Sequence, residues 1–146
     1  MVAVLFLDLD EFKAINDTYS HRVGDLYLCE AARRFQSCLR NGDTLSRVGG
    51  DEFIAVIPNL PDPDQAAMVA HRMLKAMQSP VLVEGDSIQG FVSIGMAIFP
   101  ESGSNANELK HQADAAMYDA KRAGGNKIRP RAQIPISEVS RSGLGS

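Results

Sequence analysis

The chain has 146 residues, the length of one ordinary domain. Its 45% hydrophobic content can bury a core and excludes a disordered segment, while a net charge of −3 argues against a general nucleic-acid or membrane-surface binder. No apolar run approaches the roughly 20 residues of a membrane span, and Met1 to Leu7 lacks the basic flank of a signal peptide.

Val2 to Leu7 is a continuous apolar run, the pattern of a strand covered on both faces, and it ends in Asp8-Leu9-Asp10. A short helix is predicted over about Glu11 to Asn16. A longer one follows over about His21 to Leu39, with Leu28, Ala31, Ala32, Phe35 and Leu39 at helical spacing. Cys29 and Cys38 then point to nearly opposite faces, about 13 Å apart along the axis, and should not pair. They read as packing thiols in a reduced, cytoplasmic compartment.

Two extended runs, Asp43 to Ser46 and Phe53 to Ile57, flank Gly49-Gly50 and read as a β-hairpin. Glycine there supplies the positive φ of a tight turn and lets a phosphate approach the backbone. Asp62 as N-cap, Pro63 at N1 and Gln65 at N3 start a helix that stops near Ser79-Pro80. Val81-Leu82-Val83 and Ser87-Ile88-Gln89 flank a small turn, and Phe91 to Phe99 is another strand. Asn105 with Glu108 resembles a capping box for a helix that ends at Gly124-Gly125. Lys127-Ile128-Arg129 is a last short strand. The order β-α-α-β-β-α-(β-β)-β-α-β predicts an α+β domain over residues 1–129, with a mixed, mostly antiparallel central sheet flanked by helices. Residues 130–146 are Pro-, Ser- and Gly-rich and read as a linker or tail.

This topology can bring Asp8 beside the hairpin turn, so that Asp8 and Asp51 face one cleft. Hard oxygen ligands of this kind suit Mg²⁺ or Mn²⁺. Lys121 and Arg122 add positive charge, although cations favour helix C-termini in any case.

Several spaced motifs carry a resemblance. Arg47-Val48-Gly49-Gly50-Asp51-Glu52-Phe53 resembles the signature of the GGDEF domains, the diguanylate cyclases. Asp8-Leu9-Asp10-Glu11-Phe12-Lys13-Ala14-Ile15-Asn16-Asp17, His21-Arg22-Val23-Gly24-Asp25, Ser93 to Ala97, and Ala113 to Tyr118 with Lys121 resemble its other conserved runs. The resemblance implies a palm of the ferredoxin-like, nucleotidyl-cyclase type. It also implies condensation of two GTP into cyclic di-GMP and pyrophosphate across a homodimer, with no nucleic-acid polymer and no membrane contact involved. Asp8, the Leu9 carbonyl and Asp51 are similar to the metal ligands, and Glu52 to the group that handles the attacking hydroxyl. Phe12, Lys13, Gly49, Gly50 and Lys121 resemble the phosphate side of the GTP site, and Asn16 and Asp25 its guanine readers. Asp10 is expected to shape the cleft, and His21 to cap or brace the long helix.

Arg40-Asn41-Gly42-Asp43 resembles the family's inhibitory product site, completed by Arg72; its plain alternative is a helix-ending arginine and a turn aspartate. Ser20 and Gly125 stand where the family commonly has Gly and a phosphate-binding Arg. The family also carries a helix ahead of the first strand, so the chain reads as a domain lacking that helix. The alternative to the cyclase is a non-catalytic signalling module that binds GTP or cyclic di-GMP.

Overall fold

The computed structural model describes residues 1–131. Its elements are β1 (Val2–Leu9), α1 (Phe12–Thr18), α2 (His21–Ser37), β2 (Thr44–Arg47), β3 (Glu52–Ile57), α3 (Pro63–Gln78), β4 (Val81–Val83), β5 (Asp86–Ile88), β6 (Val92–Phe99), α4 (Ala106–Arg122) and β7 (Ile128–Arg131). This is the predicted order. Among the described residues, a five-stranded sheet runs β2-β3-β1-β6-β7; β1 is antiparallel to both neighbours, and only β6–β7 is parallel. The sheet is therefore mixed and mostly antiparallel, as expected.

β1 sits at the centre because both of its faces are apolar. Ala3, Leu5, Leu7 and Leu9 join Tyr27 and Phe35 of α2 and Met73 and Met77 of α3 in one core. Val4 and Phe6 point the other way, against Leu109, Ala113 and Met117 of α4. Each of the leucine, valine, phenylalanine and methionine side chains contributes about 1.5–3 kcal/mol when fully buried. Gly95 on β6 is required for this layer: a Cβ would collide with the backbone of Ala113 and Met117.

The helix ends follow the capping chemistry closely. Asp62 accepts from Gln65 N–H at 3.2 Å, and Asn105 from Glu108 N–H at 2.9 Å. Glu108 reaches back to Ser104 N–H rather than to Asn105, one residue beyond the usual box. At the end of α4, Gly125 N–H bonds Ala120 O and Gly124 N–H bonds Lys121 O, with φ of +76° and +114°. That pairing is a Schellman cap.

Four expectations change. Ser20, not His21, caps α2, accepting from Val23 N–H at 3.1 Å. Its φ of 165° is extended backbone, which serine adopts as readily as glycine. Neither Gly49 nor Gly50 has positive φ. Val48 N–H donates to Glu52 O at 2.9 Å, so the connection is the three-residue loop Gly49-Gly50-Asp51 and not a two-residue turn. Cys29 is exposed, because it falls on the solvent side of the stripe formed by Tyr27, Leu28 and Ala31; it does not pack, while half-buried Cys38 does. Finally, β7 carries strand pairing through Pro130 to Arg131. The rest of the expected tail, residues 132–146, lies outside the described residues.

Candidate functional site: an acidic cluster at the end of the sheet

The ladder sets Asp8 opposite Glu52 on β3 and opposite Ser93 on β6. Just beyond, Leu9 N–H donates to Asp51 O at 3.1 Å and Asp10 N–H to Phe91 O at 2.9 Å. The acid-bearing end of β1 is thus held on both sides. Arg47 braces the adjoining loop: its guanidinium donates to Gly49 O at 3.0 Å and to Gly50 O at 2.8 Å. Sequence reasoning assigned Arg47 no role, and its signal was only its position two residues before the glycines.

Carboxylate oxygens of Asp8, Asp51 and Glu52 lie within 4.8 Å of one another. Burial pushes the Asp8 carboxyl up to about 7; Lys121 opposes that shift, and the neighbouring Asp51 adds to it. Among the described residues, Asp8 Oδ1 is buried without a hydrogen bond of good geometry, although the Lys121 ammonium lies 3.3 Å away. An under-satisfied buried carboxylate beside two more carboxylates is a donor set of hard oxygens, and it fits a divalent cation such as Mg²⁺ or Mn²⁺.

Asp10 points elsewhere. Its carboxylate accepts from Ser93 Oγ at 2.7 Å, Lys121 Nζ at 2.9 Å and Asn126 N–H at 2.7 Å. It ties β1, β6 and the end of α4 together, which is a cleft-shaping role. Ser93 and Asn126 were missed as partners because they lie 83 and 116 residues away. Lys121 is therefore placed over Asp8 and Asp10, and reaches within 3.5 Å of Leu9 O.

The expected nucleotide-side residues divide between two helices. Phe12, Lys13 and Asn16 ride on α1, which starts two residues after Asp10. Phe12 stacks on buried Tyr27 at 6.3 Å, whereas Lys13 is solvent-exposed. Asn16 Oδ1 is buried with no hydrogen-bond partner among the described residues and faces Gly24, where a Cβ would collide with it. Asp25 is exposed on α2 and lines a cleft of about 690 Å³ with Leu28, Arg47 and Phe53.

Arg40 and Asp43 pair at the far end of β2 from the Gly-Gly loop, and Arg72 reaches the backbone at the end of α2 just before them. Arg40 donates to both Asp43 carboxylate oxygens, at 3.3 and 3.1 Å, and to Pro58 O at 2.8 Å. The Asp43 side chain is fully buried, and Arg40 remains half exposed. Arg72 donates to Cys38 O at 3.0 Å, at the end of α2.

An antiparallel palm with carboxylates converging beside a glycine loop defines a site suited to cation-assisted transfer at phosphorus. The family model described as "Diguanylate cyclase, GGDEF domain" matches residues 1–127. The chain is 44% identical to the bifunctional diguanylate cyclase/cyclic di-GMP phosphodiesterase MucR of Pseudomonas aeruginosa, over 85% of this chain and 18% of that protein. It is 37% identical to diguanylate cyclase A of Treponema denticola, over 87% of this chain and 34% of that protein. Among solved structures, the GGDEF domain of TpbB from P. aeruginosa superposes with a TM-score of 0.87 at 37% identity, covering 91% of this chain and 83% of that one. The chain belongs to the GGDEF family of diguanylate cyclases. It spans 18% to 34% of the length of these two curated relatives. Among the described residues, no helix is long and apolar enough to cross a membrane.

Proposed function

We propose that this chain is the catalytic domain of a diguanylate cyclase that condenses two GTP into cyclic di-GMP across a homodimer. The observation that carries the reading is the convergence of Asp8, Asp51 and Glu52 within 4.8 Å at the end of the sheet. Asn16 and Asp25 bind guanine, since an amide and a carboxylate complement its O6, N1 and N2 edge. Among the described residues no hydrogen bond to the Asn16 oxygen commits that side chain elsewhere, which is compatible with this role. Phe12, Lys13 and the loop backbone at Gly49 and Gly50 line the phosphates, and Lys121 meets the terminal one. A Mg²⁺ or Mn²⁺ held by Asp8, the Leu9 carbonyl and Asp51 supplies charge neutralisation when bound.

Glu52 lies beside this group and handles the ribose 3′-hydroxyl. That oxygen gives up its proton and attacks the α-phosphate of the facing GTP as pyrophosphate leaves; the reciprocal attack closes the ring and releases a second pyrophosphate. The protein's work is positioning and electrostatics. One open site holds one nucleotide, so a second copy supplies the other half. Arg40, Asp43 and Arg72 form a product site at the far end of the same hairpin, through which cyclic di-GMP feeds back.

The direct test is incubation with GTP and Mg²⁺, reading cyclic di-GMP as protein concentration is varied. The expected rate rises faster than linearly with protein. A rate per subunit that stays constant down to concentrations where the chain is monomeric would sink the dimer. A second reading, a module that binds GTP or cyclic di-GMP without turnover, is favoured by Gly125: no guanidinium stands there to grip the terminal phosphates. Binding without product in the same assay would establish it.

A further inference from the structure

Lys121 occupies more than a helix end. Its ammonium lies 2.9 Å from Asp10 Oδ1, 3.3 Å from Asp8 Oδ1 and 3.5 Å from Leu9 O. Asp8 and the Leu9 carbonyl are the same oxygens assigned above to the cation. A Mg²⁺ ion bonds its oxygens at about 2.0–2.1 Å. An ammonium and a divalent cation sharing Asp8 Oδ1 would then stand within a few ångströms of each other, inside a half-buried site where like charges repel strongly.

We propose that Lys121 excludes the free cation from the acidic cluster and yields it only to a cation that arrives with nucleotide phosphate. The phosphate is what draws the ammonium away. The substrate is then the metal–nucleotide complex, taken up as one unit, and Lys121 sets that order. The inference rests on the reading of Asp8, Leu9 and Asp51 as the cation site.

Two features let the ammonium move without leaving a buried charge unpaired. Its side chain is 27% exposed, with a flexible four-carbon stem that opens toward solvent. Asp10 keeps its bonds to Ser93 Oγ and Asn126 N–H, both at 2.7 Å, when the ammonium departs. Asp8 has no such reserve: among the described residues its Oδ1 has no hydrogen-bond partner, so when ionised it is answered by the lysine or by a metal.

The test has two arms on the whole chain: binding of Mn²⁺ alone, read from the paramagnetic resonance of free Mn²⁺, and binding of the preformed Mn²⁺ complex of a non-hydrolysable GTP analogue, read by calorimetry. Lys121→Met is compared with the parent, and Lys121→Gln serves as a second variant if the first fails to fold. With Mn²⁺ alone, the variant should bind at least about tenfold more tightly, a modest share of a contact charge repulsion. With the analogue present the order should reverse, because the variant has lost its phosphate contact. Equal or weaker Mn²⁺ binding by the variant, while both proteins still bind the Mn²⁺–analogue complex, overturns the exclusion role alone. No Mn²⁺ binding by either protein, with or without the analogue, overturns the cation site as well.

Discussion

Gly125 lies so close to Asp10 that a Cβ would stand 2.8 Å from Asp10 Oδ2, at a φ of +76°. Asp10 cannot step aside cheaply, since Ser93, Lys121 and Asn126 all hold it. The glycine is a backbone requirement of the α4 cap. Gly125→Arg, which would place an arginine where the sequence resemblance expects a phosphate-binding one, should therefore destabilise the domain. The left-handed residue alone costs about 1–2 kcal/mol. Urea denaturation measures the loss, and calorimetry with a GTP analogue should show affinity no tighter than the parent's. Tighter binding in a folded variant would show that the cap relaxes to admit the side chain.

Asp51→Asn should abolish product formation and leave the fold intact. The residue is half-buried in a loop outside both apolar clusters, so its loss removes charge and no packing. The expected change in stability is small, about 0.5 kcal/mol, and in the stabilising direction, because the Asp51 charge opposes ionisation of Asp8. Undiminished turnover would remove Asp51 from the site, and a large fall in the urea midpoint would give it a structural role instead.

Glu30 is a pH-sensitive brace. Hydrogen bonds from Arg33 and Arg34 push its carboxyl down to about 2. Arg34, so held, donates to Ala76 O and Ser79 O at 2.7 Å and to Pro80 O at 3.0 Å, closing the end of α3 from α2. A carboxyl depressed in the folded state gives stability that is complete above its unfolded value of 4.5 and lost as pH falls toward 2. Glu30→Gln should cost about 0.5–1 kcal/mol at pH 7, the range for partly exposed ion pairs. The difference from the parent should vanish near pH 2. A gap that persists there would show that shape, not charge, is what Glu30 supplies.

Arg40→Ala and Arg72→Ala should both lose cyclic di-GMP binding and relieve product inhibition, sparing basal turnover. They should differ in stability. Arg40→Ala leaves the buried Asp43 carboxylate with only the Arg40 backbone N–H, at 2.8 Å, so a cost of about 1–3 kcal/mol is expected. Arg72→Ala gives up one exposed bond to Cys38 O and should cost little. Calorimetry with cyclic di-GMP checks the binding and thermal melts the stability. If both variants bind product as the parent does, Arg40 is only the end of a helix turn.

Much of this protein was determined by its sequence alone. The covered strand β1, the caps at Asp62 and Asn105 and the glycine end of α4 were each legible, because apolar period, capping side chain and φ preference all act within a few residues. The acids that converge were legible too, since a strand ending in Asp8 and a hairpin carrying Asp51 and Glu52 belong together in an antiparallel palm. What only the tertiary structure decided depends on register and docking. The Gly49-Gly50 connection is a three-residue loop because Val48 pairs with Glu52, which the composition of the turn does not state. Cys29 is exposed and Cys38 half-buried because of how α2 is rolled onto the sheet. Lys121 stands over Asp8 and Asp10, more than 110 residues away, because Gly95 lets α4 settle directly on β6 and the Gly124-Gly125 cap turns Asn126 N–H into Asp10. No local window contains both ends of such a contact, so the position of that ammonium had to come from the packed fold.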